Sequence, residues 1–139
     1  MLFVTYTTKE EFEAFDAAEK KNHSNIFHVI TDKKGEKYLI CHGDKHMKLM
    51  YNNYSYYTPD EAYQKAVRKG LIEDGDKVNI CCCYGGLMPK PENKNITLVN
   101  TECNVLWIKR FKTRNGDGKL VMTTRNNLMT KFCAAVAQF

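Results

Sequence analysis

No apolar run in this sequence approaches the roughly 20 residues that a membrane-spanning helix needs. Blocks of about five or six like charges are also missing. The net charge of +5 therefore permits an anionic partner without demanding one. Met1–Tyr6 is apolar for only four residues before Glu10 and Glu11 follow, so we expect no secretory leader. The last residues, Val136–Phe139, lack the cysteine of a prenylation box. No internal repeat and no linker interrupts the chain. These absences point away from a membrane and toward a cytoplasmic, reducing compartment.

What is present fits one globular domain, residues 1–139. The chain is 43% apolar and 27% charged, which argues against disorder. Its unusual feature is six cysteines, with Cys81, Cys82 and Cys83 consecutive. In a short secreted chain six cysteines would suggest a disulfide framework. Here Cys81 and Cys82 end an apolar run, Val78–Cys82, that reads as a buried strand, and Cys83 follows at its carboxyl end. Side chains alternate along a strand, so Cys81 and Cys83 share one face and Cys82 takes the other. We read them as reduced thiols.

Strand signals fall at Leu2–Thr7, Ile26–Ile30, Lys37–Cys41, Val78–Cys82, Ile96–Val99 and Val105–Lys112. Another strand, Lys119–Thr123, returns from a hairpin turn at Asn115–Gly118. Thr8 with Glu11 predicts a capped helix running to about Lys20, with Phe12 and Phe15 on one face. Thr58-Pro59-Asp60-Glu61 predicts a second, with Gly70 near its end. Leu128, Phe132, Cys133 and Val136 sit at helical spacing and predict a third. His42-Gly43 closes the Lys37–Cys41 strand. Asp44–Tyr57 has no clear period and reads as a loop. The expected class is α/β, a mixed and mostly parallel sheet with flanking helices and a C-terminal antiparallel ribbon.

Two residues carry the chemical reading. His42 follows one strand and Cys83 follows another, with a capped helix between them. Ligand sites in open α/β sheets form at the carboxyl ends of strands. If the two strands are parallel neighbours, His42 and Cys83 meet at one sheet edge. An imidazole near a thiol can lower its pKa and protonate a leaving group. Backbone N–H groups of the Tyr84-Gly85 turn could hold an oxyanion. The sequence offers no residue for a charged specificity pocket.

Tyr38-Leu39-Ile40-Cys41-His42-Gly43 resembles the strand-His-Gly block of caspase-like cysteine peptidases. Val78–Gly86 resembles their second block, a hydrophobic strand, a small residue, the nucleophilic cysteine and a nearby glycine. Cys82 stands where many members have alanine. The resemblance covers about Lys37–Gly86. It implies Cys83 as nucleophile, His42 as its acid/base partner and Gly43 as an oxyanion contributor. It implies a peptide or related acyl substrate and no cofactor.

Three other readings compete. A non-catalytic module of the same fold could be a regulator or a virus- or mobile-element-type inhibitor that binds a protein or small ligand. Its motivation is the crowd of Tyr51, Tyr54, Tyr56 and Tyr57 beside His42. A nucleic-acid binder could use the basic and aromatic stretch Trp107–Arg114, although lysine and arginine on a peripheral strand also prevent aggregation. A metal cluster of Cys41, His42, His46 and Cys81–Cys83 is disfavoured by its spacing, so we expect no metal.

Overall fold

A computed structural model describes residues 3–99 and 107–123. In chain order the first elements are β1 (Phe3–Thr7), α1 (Lys9–Lys21), a 3-10 turn at His23–Asn25, β2 (Phe27–Thr31) and β3 (Lys37–Asp44). Then come β4 (Leu49–Asn52), β5 (Ser55–Tyr57), α2 (Pro59–Arg68) and β6 (Val78–Cys81). A 3-10 turn at Gly85–Leu87, β7 (Ile96–Leu98), β8 (Trp107–Lys112) and β9 (Gly118–Thr123) complete the order. The expected helix around Leu128–Val136 lies outside the described residues.

Local chemistry explains both helices. α2 has a complete capping box: Thr58 Oγ1 accepts from the Glu61 amide at 3.1 Å, and Glu61 Oε1 accepts from the Thr58 amide at 3.1 Å. It ends as its sequence predicts, with Gly70 at φ +71°. There the amides of Gly70 and Leu71 bond back to Val67 and Ala66, both at 3.0 Å, which closes the last turn. α1 has no β-branched residue and carries acids in its first turn and lysines in its last. Its box is only half made. Thr8 caps the Glu11 amide, but the Glu11 carboxylate accepts from the Thr31 amide instead.

The larger sheet runs β5-β4-β3-β6-β7, with β2 also paired to β3. β3–β6 and β6–β7 are parallel; its other pairings are antiparallel. The expected mostly parallel sheet is therefore corrected to a mostly antiparallel one. The reason lies in the connections, because short turns can join only antiparallel strands. Two of those turns, β3–β4 and β4–β5, fall in the stretch read as a loop. Asp44–Tyr57 instead completes β3 and forms the β4–β5 hairpin, turned by Asn53 (φ 53°) and Tyr54 (φ 64°). Two positive φ values define the tight hairpin turn that Asn-Gly usually signals. Tyrosine in the second position conceals it. β3 likewise does not end at His42-Gly43 but runs on to Asp44.

The C-terminal ribbon exists, but it is not an appendage. β9 pairs with β8 on one side and with the N-terminal β1 on the other. This small sheet and α1 cover one face of the larger sheet. Phe12, Phe15, Ile30, Ile40, Leu120 and Met122 form that core. Gly118 makes the packing possible, since a β-carbon there would fall 1.7 Å from the Phe12 ring. α2 covers the opposite face through Ala62, Tyr63 and Ala66, against Leu39, Met50, Val78 and Ile80. The described residues thus form one small α/β domain.

Candidate functional site

β3 and β6 are parallel neighbours, with Ile40 opposite Cys81. β3 changes partners just beyond that pair. Through Cys41 its outer neighbour is β2, and from His42 it is β4. His42 therefore sits past the last β3–β6 pair, at the carboxyl end where the sheet opens.

The three cysteines separate as strand alternation requires. Cys81 joins the core beneath α1, and Cys82 joins the core beneath α2. Both are buried, and burial pushes both thiols well above the ordinary cysteine range. Cys41 is also buried, which raises its pKa to about 12. Its Sγ donates to the Tyr51 carbonyl at 3.3 Å and the His42 carbonyl at 3.4 Å. Thiols held this way are poor nucleophiles. Cys83 differs. It is half-buried and lines a cleft of about 580 Å³.

His42 lines the same cleft. Its Nε2 faces the backbone carbonyl of His23. A carbonyl only accepts, so Nε2 carries the proton that faces it, and in the neutral ring Nδ1 is then the acceptor. The His23 and His42 rings meet edge-on at 77°, with centroids 5.2 Å apart. His23 Nδ1 in turn lies 3.2 Å from Glu19 Oε1. The other Glu19 oxygen lies 2.5 Å from the Arg110 guanidinium, which also pairs with Asp16. A hydrogen bond from Lys20 and the nearby positive charges of Arg110, Lys20 and Lys112 hold the Asp16 pKa down against burial.

The turn that carries His23 is itself anchored. Buried Asn52 on β4 donates to the Asn25 carbonyl at 2.7 Å and accepts from Lys65 of α2 at 2.5 Å. The Asn53 amide donates to Asn25 Oδ1 at 3.0 Å. Two adjacent residues where β4 enters the hairpin turn, Asn52 and Asn53, thus hold the segment that orients His42.

Gly43, Tyr84 and Gly85 are not among the lining residues. Gly43 lies against the Cys83 backbone, and a β-carbon there would stand 1.9 Å from the Cys83 oxygen. The space left by this glycine is filled by the chain itself rather than by a ligand. Tyr84 turns the chain in the left-handed region, φ 60° and ψ 28°, and Gly85 opens the buried 3-10 turn after it. A left-handed tyrosine costs about 1–2 kcal/mol. The strain sits one residue past Cys83, at the kind of place where strained backbone gathers in functional sites.

His23, Glu19 and Arg110 carry no motif in the sequence. Glu19 and His23 are four residues apart, but His23 lies beyond the end of α1, so helical spacing does not announce the pair. The contact with Arg110 was not legible either, because it joins residues far apart in the chain. That contact also changes the reading of the basic Trp107–Arg114 stretch, whose Arg110 is engaged with two carboxylates. Among the described residues, no group of three or more His, Cys, Asp or Glu is arranged to hold a metal ion. No described helix is long and apolar enough to cross a membrane. A second cavity of about 400 Å³ lies at the opposite end of β3 and β6, among Lys34, Lys37, Asp76 and Lys77. Its described lining holds neither thiol nor imidazole. No protein-family model, curated protein or solved structure matches this chain.

Proposed function

We propose that this chain is a caspase-like thiol hydrolase that cleaves a peptide or related acyl bond with Cys83 and His42. The observation that carries the reading is the shared cleft. Cys83 and His42 line it together at the carboxyl ends of two parallel strands, with the far nitrogen of His42 fixed by a backbone carbonyl. His42 Nδ1 takes the thiol proton, and the sulfur attacks the acyl carbon. The imidazolium then protonates the leaving group, and an acyl-enzyme remains. Water, deprotonated by the same imidazole, releases the acid and restores the thiol. The His23 carbonyl accepts a hydrogen bond from Nε2 and holds the ring in one orientation throughout.

The test is labelling by a peptidyl acyloxymethyl ketone, read by mass spectrometry. Labelling should fall on Cys83 and be lost in Cys83→Ala and strongly slowed in His42→Ala. Labelling that both variants leave unchanged would end the proposal.

A second reading is a binding module of the same architecture. The two turns of the β3–β4–β5 meander support it, since Tyr54 in the β4–β5 turn is 86% and Met47 in the β3–β4 turn 51% exposed. Tight co-purification of a partner with both wild type and Cys83→Ala, together with absent labelling, would favour this reading.

A further inference from the structure

The cleft beside Cys83 has a continuous apolar floor. Phe15 and Ile40 are each 2% exposed and Ile26 7%, and all three belong to one packed cluster. Half-buried Ile108 of β8 rests on that cluster. The floor joins three separate elements, so its shape is set by the core and not by a loop.

The charged side chains around this floor already neutralise one another. Arg110 lies on the same face of β8 as Ile108, two residues on, and its guanidinium is held by Asp16 and Glu19. Glu19 is shared further with His23. Lys109 lines the same cleft but is exposed, so its charge is screened by water and does little for a buried carboxylate. An incoming carboxylate would have to draw Arg110 away from two acids. An incoming guanidinium or ammonium would have to displace Arg110 from Glu19. Either charge would leave water without gaining an unengaged counter-charge, which disfavours its burial. An aliphatic or aromatic side chain meets no such penalty and gains contact with the floor. The volume, about 580 Å³, is in the range that accepts one large side chain with its flanking backbone.

We propose that this floor is the specificity pocket, and that the substrate is a polypeptide with a large uncharged apolar residue next to the bond attacked. The inference rests on the hydrolase reading of Cys83 and His42 and deepens it. Ile108 is its specificity-determining residue, because it is the half-buried edge of the floor.

The experiment uses the full chain and peptidyl acyloxymethyl ketones that differ only in the residue beside the reactive group: Leu, Phe, Asp, Arg. The rate of adduct formation on Cys83 is read by mass spectrometry. The Leu or Phe probe should react at least about tenfold faster than the Asp or Arg probe, the discrimination expected of a hydrophobic pocket. Ile108→Thr should narrow that ratio several-fold, with each probe rate divided by the iodoacetamide rate at Cys83 of the same variant. The milder Ile108→Val serves if the threonine variant fails to fold. An Asp or Arg probe that reacts fastest overturns the pocket. So does a Leu-to-Asp ratio that neither Ile108 variant changes. Iodoacetamide reactivity of Cys83 that does not depend on His42 removes the hydrolase reading itself, and the pocket with it.

Discussion

The backbone carbonyl of Cys83 rests against the α-carbon of Gly43, so that a β-carbon at position 43 would stand 1.9 Å from the Cys83 oxygen. This contact joins the end of β3 to the turn that presents the candidate nucleophile. The obstruction is backbone and cannot rotate away. Gly43→Ala should therefore destabilise the fold by about 1–3 kcal/mol. It should also move the Cys83 turn, seen as altered Cys83 alkylation at denaturant concentrations where the variant is still folded. A urea midpoint equal to wild type would show that the two segments do not meet this closely.

Asn52 should matter to His42 without touching it. Its amide bridges the Asn25 carbonyl and the Lys65 ammonium. Asn52→Ala removes the side-chain donor to the Asn25 carbonyl and leaves Lys65 with Tyr57 Oη at 3.1 Å, and should cost about 1–3 kcal/mol. The loosened turn should also shift the imidazole resonances of His42 in an NMR spectrum. A stability loss with unmoved His42 resonances would confine Asn52 to a structural role.

The cysteines should react in order of burial. Cys83 should be alkylated in the native protein ahead of Cys41, Cys81 and Cys82, which wait for unfolding because burial raises their pKa values. Limited iodoacetamide treatment followed by peptide mass mapping reads the order directly. Early modification of Cys81 or Cys82 would contradict the packing on either face of β6.

Stability should fall with acid in two stages. His28 packs beside Phe15, and burial lowers its pKa from 6.5, partly opposed by Glu11. The unfolded chain then binds the proton more readily, so this contribution is complete above pH 6.5 and is lost as pH falls toward the folded value. Asp16 and Asp76 have pKa values lowered below 3.8, chiefly by hydrogen bonds from Lys20 and Lys37 respectively. Their contribution is present above pH 3.8 and is lost on further acidification. Urea midpoints should drop between pH 7.5 and 5.5 in wild type and stay nearly level in His28→Asn. Equal drops in both would remove His28 as the source of the first stage.

Much of this architecture could be read from residue chemistry. Thr58, Pro59 and Glu61 announce α2 because a complete capping box is local. The Cys81–Cys83 run announces its own geometry because alternation is a property of the strand. Other features escape for physical reasons. Tyr54 adopts the left-handed conformation that glycine normally supplies, so the β4–β5 hairpin carries no turn signature. The pairing of β1 with β9 joins the two ends of the described chain and has no local trace. The same holds for Arg110, whose carboxylate partners on α1 are visible only once β8 has been placed. His42 and Cys83 were legible as neighbours beyond the paired part of two strands, although β3 runs on past His42 to Asp44; the His23 carbonyl was not, since any residue could supply it.

The most direct measurement of the central claim is the pH dependence of Cys83 alkylation by iodoacetamide in wild type and His42→Ala, both folded. If His42 serves as the base for Cys83, wild type should react roughly tenfold faster near neutral pH, with the two rates converging in alkali as the thiol ionises unaided. Superimposable profiles across the whole range would contradict a Cys83–His42 dyad.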